Sequence, residues 1–106
     1  MGLKFTKEKD ILTVLISGDI DHHNAKKIRD LIDQKIVSTE FNTLRIDFKN
    51  LSFMDSSGIG LIMGRYKLLE SRGANLKVIN VPGYFLKVIR LSGLEELGIL
   101  ERSKTR

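Results

Sequence analysis

Two adjacent hydroxyls, Ser56 and Ser57, stand where an apolar strand gives way to a helix in Phe53-Met54-Asp55-Ser56-Ser57-Gly58-Ile59-Gly60. At such a junction the first backbone N–H groups of the helix lack intrahelical partners, and the helix dipole favours negative charge. A phosphoryl group written onto a serine there meets a receptive site and changes the local charge by about −1.5 to −2. Asp55 sits beside it as a fixed negative charge. The pattern points to a switch before it points to a catalyst, with a serine of this pair as the acceptor.

Other chemistries fit the residues less well. A serine hydrolase wants Gly-x-Ser-x-Gly on a strained turn, and here Met54 and Asp55 precede Ser56. The only histidines, His22 and His23, belong to a different helix and would need a third group to orient one of them as a base. Metal binding by Asp19, Asp21, His22 and His23 is opposed by geometry, because neighbouring helical positions do not face the same way. Gly58-Ile59-Gly60 lacks the Gly-Lys-Ser/Thr of a triphosphate loop and the third spaced glycine of a dinucleotide loop. Gly58, Gly60 and Gly64 each cost a helix about 1 kcal/mol relative to alanine. Either close packing on the sheet or the approach of a partner's backbone would justify them.

The elements that must position this segment follow from periodicity. Residues 3–6 and 11–17 read as strands of a hairpin joined by the polar turn Lys7-Glu8-Lys9-Asp10. Gly18 to Asp21 forms a break. Asp21 then caps a helix over residues 22–37, with Ala25, Ile28, Leu31, Ile32 and Ile36 as its apolar stripe. Leu44 to Phe48 alternates as a strand. A second helix opens at the serines and reaches about Arg72, with Ile59, Ile62, Met63, Tyr66 and Leu69 at helical spacing and Gly73 closing it. Leu76 to Val81 is a further strand. Pro82 starts a last helix with Tyr84, Phe85, Val88, Ile89 and Leu91 apolar, and residues 95–100 add a short edge element. A hairpin followed by α-β-α-β-α implies parallel crossovers, hence an α/β fold with a mixed, mostly parallel sheet and helices packed against it.

Composition bounds the rest. The 106 residues suit one domain, and 42% hydrophobic with 29% charged residues is ordinary for a globular chain. There is no cysteine, so neither disulfides nor thiolate zinc sites arise. No apolar run approaches the roughly 18 residues that span a bilayer, and no signal-peptide core is present, so a cytoplasmic location without membrane attachment is expected. The net charge of +5 raises nucleic acid as a partner. However, the basic residues are dispersed apart from the tail Arg102-Ser103-Lys104-Thr105-Arg106, which reads as a solvated terminus, and direct nucleic-acid binding is not expected.

Residues Phe53 to Gly60, followed by Gly64-Arg65-Tyr66-Lys67, resemble the signature of anti-sigma factor antagonists in the STAS domain family. Gly18-Asp19-Ile20-Asp21-His22-His23-Asn24-Ala25 is similar to a second segment, characteristic of the branch acting on sporulation sigma factor F. The likeness runs from the opening hairpin to Leu91-Ser92-Gly93-Leu94 and implies one STAS domain over residues 1–106. It implies a binding protein with no catalysis and no cofactor or metal of its own. The unphosphorylated form would bind an anti-sigma factor that is also a serine kinase, freeing the sigma factor for RNA polymerase. Phosphorylation of Ser56 by that kinase would end the binding, and a metal-dependent serine phosphatase would reset it. The implied docking surface is Asp21, His22, His23, Asp55, Ser56, Ser57, Gly58, Gly60 and Arg65. Alternatives are a STAS subunit of another partner-switching or stress-signalling assembly and, remotely, a small serine hydrolase.

Overall fold

The computed structural model describes residues 2–101, so the basic tail at 102–106 lies outside the described residues. Strand β1 (Gly2–Glu8) pairs antiparallel with β2 (Ile11–Ile20) across a two-residue turn, Lys9-Asp10, with Lys9 left-handed at φ 56°. Helix α1 (Ala25–Ser38), strands β3 (Thr43–Asp47) and β4 (Leu51–Met54), helix α2 (Ser56–Ser71), strand β5 (Asn75–Ile79) and helix α3 (Gly83–Leu91) follow. The sheet runs β1-β2-β3-β5, and β4 also pairs with β2. Every pairing beyond the hairpin is parallel, giving the mixed, mostly parallel sheet that the sequence implied.

One face of this sheet is a ladder of apolar side chains in register. Leu12, Leu44 and Leu76 form one row, and Val14, Ile46 and Val78 the next. All six are buried. Ile28, Ile32 and Ile36 of α1 and Leu61, Ile62 and Leu69 of α2 pack into the same core. Strict alternation along β2, with Leu12, Val14 and Ile16 inward, is what a strand with one covered face requires.

Several boundaries differ from those read in the sequence, each for a local reason. Gly18, at φ 93°, does not break β2; it sits where the pairing with β4 shifts register, and the strand continues to Ile20. Residues 22–24 form a turn before α1, so the helix starts at Ala25. The single strand expected between the first two helices is two strands. Asp47 Oδ1 accepts from the Lys49 N–H at 3.0 Å and Leu51 N donates to Phe48 O at 3.0 Å, turning the chain between them.

The expected apolar faces also rotate. Leu31 is exposed on α1. On α2 the buried line is Gly58, Leu61, Ile62, Arg65 and Leu69, leaving Ile59, Met63 and Tyr66 half-covered. Only Phe85 and Ile89 of the nine-residue α3 are buried, while Tyr84, Val88 and Leu91 face outward. Two turns of helix touch the core along one line only. The edge element resolves into a single 3-10 turn, Leu94–Leu97, and an isolated parallel bridge of Leu100 to Val78.

Candidate functional site

Parallel pairing of β2 with β4 decides the site. Ile20 lies opposite Met54 in the register, and Asp55 N donates to Ile20 O at 3.1 Å. Both chains leave the sheet here, so the starts of α1 and α2 emerge side by side at the carboxyl ends of parallel strands. Crevices at such strand ends are where open α/β sheets place binding sites.

An aspartate closes the α2 start, while the aspartate expected to cap α1, Asp21, instead closes the turn that precedes it, because the helix begins only at Ala25. Asp55, in extended backbone at φ −103° and ψ −167°, caps α2 by accepting the Ser57 N–H at 2.8 Å. That N–H, with the Ser57 hydroxyl adding to it, holds the Asp55 carboxyl below its ordinary carboxylate value. Asp21 accepts the N–H groups of His23 at 2.9 Å and Asn24 at 3.1 Å, and Asn24 Oδ1 accepts the Asp21 N–H at 3.1 Å. This reciprocal pair does for the 22–24 turn what a capping box does for a helix.

His22 bridges the two starts, and His23 stays with its own segment. Their rings lie 4.0 Å apart between centroids. His22 Nδ1 is 3.8 Å from Asp55 Oδ2, and His23 Nδ1 is 3.9 Å from Asp21 Oδ1. His22 thus meets Asp55 although more than thirty residues separate the two segments, with His23 and Asp21 beside it. Ser56, the first residue of α2, is exposed, and Ser57 is half-buried. The cap is Asp55 and not the Ser57 hydroxyl, which frees both serines from that role.

The glycines separate into two kinds. A Cβ on Gly58 would run into Cγ and Sδ of Met54, so close packing against β4 requires glycine there. A Cβ on Gly60 or Gly64 would meet nothing within 4 Å. Those two instead border an open groove of about 310 Å3 between α1 and α2, with Lys26, Arg29, Ser57 and Arg65 also in its walls.

Arg65 lies away from the exposed cluster. It is buried, and its Nε stands 2.9 Å from Asp33 Oδ1 of α1, joining the two helices. Burial pushes the Asp33 carboxyl up and the Arg65 guanidinium down from their ordinary values, outweighing their mutual attraction. Lys26, Arg29 and Asp33 were not among the residues singled out from sequence. Their only signal there is spacing along α1, which cannot say which neighbouring helix they face. Among the described residues, no helix is long and apolar enough to cross a membrane.

The parallel sheet with two helix starts side by side, one of them capped by Asp55 and followed by an exposed serine, defines a small α/β domain. Residues 3–104 match the STAS domain family, and the chain belongs to it. It is 35% identical over 94 residues to the anti-sigma F factor antagonist of Paenibacillus polymyxa, covering 89% of this chain and 80% of that protein. It is 33% identical over 92 residues to the anti-sigma-B factor antagonist of Bacillus subtilis, covering 85% and 80%. Among solved structures it is similar to the anti-sigma factor antagonist SpoIIAA in its unphosphorylated form, with a TM-score of 0.82, 29% identity and 97% and 89% of the two chains covered. The phosphorylated form of SpoIIAA from Bacillus is similar too, at a TM-score of 0.75 and 29% identity, with 97% and 92% covered.

Proposed function

We propose that this chain is an anti-sigma factor antagonist controlled by phosphorylation of Ser56. In its unphosphorylated form it binds an anti-sigma factor with serine kinase activity, releasing sporulation sigma factor F to RNA polymerase. The kinase phosphorylates Ser56 and loses its hold, and a metal-dependent serine phosphatase restores the binding form. The protein works in the cytoplasm and catalyses nothing itself. The observation that carries this reading is the exposed Ser56 hydroxyl, one residue past the Asp55 cap and on the edge shared with Asp21, His22 and His23.

The mechanism is local. A phosphoserine at Ser56 places a dianion next to ionised Asp55 at a contact that is otherwise weakly charged. Docking would then have to desolvate that charge, which costs several kcal/mol without a matching cation, and 1.4 kcal/mol already changes affinity tenfold. The dipole at the α2 start favours the phosphate within the antagonist itself. No refolding is needed.

The test mixes the protein with the anti-sigma kinases of its host and ATP, and locates the phosphate by mass spectrometry. Phosphate on Ser56 is expected; phosphate elsewhere refutes the assignment. Ser56→Ala should bind the kinase and resist modification, while Ser56→Asp should bind at least about tenfold more weakly. Parent-like binding by Ser56→Asp would sink the electrostatic mechanism.

The similarity to an anti-sigma-B factor antagonist supports a second reading, a STAS component of another partner-switching or stress-signalling assembly. Co-purification with a different kinase and sigma factor, or with large STAS assemblies, distinguishes it. Labelling of Ser56 by a fluorophosphonate would instead indicate a serine hydrolase.

A further inference from the structure

The α1–α2 groove is built at a cost the fold does not require. Gly60 and Gly64 each forgo about 1 kcal/mol of helix stability relative to alanine, yet a methyl group at either position has open space. Beside this bare strip the Arg65 side chain is only 8% exposed. Its Nε lies near Asp33, but Nε, Nη1 and Asp33 Oδ1 all lack a hydrogen-bond partner, so the approach is a charge contact without a directed bond. Buried donors left unmet in this way are rare and call for an acceptor. A guanidinium's planar fork suits a carboxylate better than any other side chain. At the rim, Lys26 and Arg29 share the single carboxylate of Asp30, at 2.9 and 3.3 Å. Cations therefore outnumber carboxylates along the groove.

We infer that this groove receives an acidic side chain of the docked protein partner. The carboxylate enters over Gly60 and Gly64, takes up unmet N–H groups of Arg65 after a small side-chain adjustment, and is flanked by Lys26 and Arg29. A polypeptide fits better than a free anion for two reasons. Ser57 belongs both to the groove and to the modifiable α2 start, so a partner that reads Ser56 already covers the groove's mouth. The absent side chains also let a second main chain approach the helix backbone. The inference rests on the antagonist reading for the identity of the partner.

The experiment has two arms. In the first, the anti-sigma factor captured by the parent protein is titrated with the parent, with Gly64→Leu, and with the double variant Lys26→Gln, Arg29→Gln, while Tm is recorded. Gly64→Leu fills the groove from a position with free space and leaves Ser56 untouched. Affinity about tenfold lower or more with Tm retained is expected for both variants; parent-like affinity in both overturns the inference. In the second arm, acetate is titrated into the isotope-labelled parent alone, with chloride holding ionic strength constant. The Arg65 Nε–H and Gly64 amide resonances should shift saturably, and those shifts should vanish in the double variant. Their absence in the parent overturns the carboxylate site whatever the partner does. Acetate shifts with unchanged partner affinity would assign the groove to a free carboxylate and overturn the polypeptide. A parent that binds no anti-sigma factor refutes the antagonist reading, and the acetate arm still decides the groove.

Discussion

Asp55 serves structure and, in the proposed switch, signal as well. Its carboxylate closes α2 through the Ser57 N–H, and it stands next to the serine whose modification would add two further negative charges. Because that N–H holds the carboxyl below its ordinary value, ionised Asp55 favours the folded state above the ordinary carboxylate range. The contribution is lost as pH falls through the lowered folded-state value. Asp55→Ala should therefore lower Tm at neutral pH and lose less stability than the parent on acidification. Thermal scans across pH check this, and a neutral-pH Tm equal to the parent's would show that the cap contributes nothing. Asp55→Asn should retain much of the effect, since an amide oxygen still accepts the N–H.

At the scale of the element, α2 carries glycines with opposite purposes. Gly64→Ala should stabilise the protein by about 1 kcal/mol, because the added methyl meets open space and removes the entropic cost of glycine. Gly58→Ala should destabilise it by about 1–3 kcal/mol, since the methyl forces Met54 out of its place against β4. Urea denaturation measures both, and trimming Met54 in the Gly58→Ala background should recover part of the loss. The ion pair between Arg65 and Asp33 binds α2 to α1. Asp33→Ala should cost about 1–3 kcal/mol by leaving the buried guanidinium without its counter-charge; an unchanged urea midpoint would show that the pair is dispensable.

For the whole molecule, the apolar ladder across β2, β3 and β5 is the frame that holds the two helix starts together. Ile46 sits mid-sheet with Val14 on one side and Val78 on the other, fully buried. Ile46→Ala should cost about 2–5 kcal/mol, read as a lower urea midpoint. It should weaken partner binding only through the population folded, because it lies mid-sheet away from the proposed binding edge.

Much of this was legible in the chain itself. Alternation in β2 and β3, the start of α2 at Ser56 and its close at Gly73, and the order of the elements apart from β4 follow from local periodicity and capping. Those effects act between residues a few positions apart. The two short motifs, taken together, also carried the family. What periodicity could not tell was which part of an apolar stripe ends up covered, as Leu31, Tyr84 and Leu91 show. Nor could it separate Gly58 from Gly64, or turn Arg65 inward toward Asp33. Each of these depends on which neighbour packing brings across the gap. The meeting of His22 with Asp55 and the groove beside Arg65 exist only because β2 and β4 pair in parallel, a contact between residues far apart along the chain.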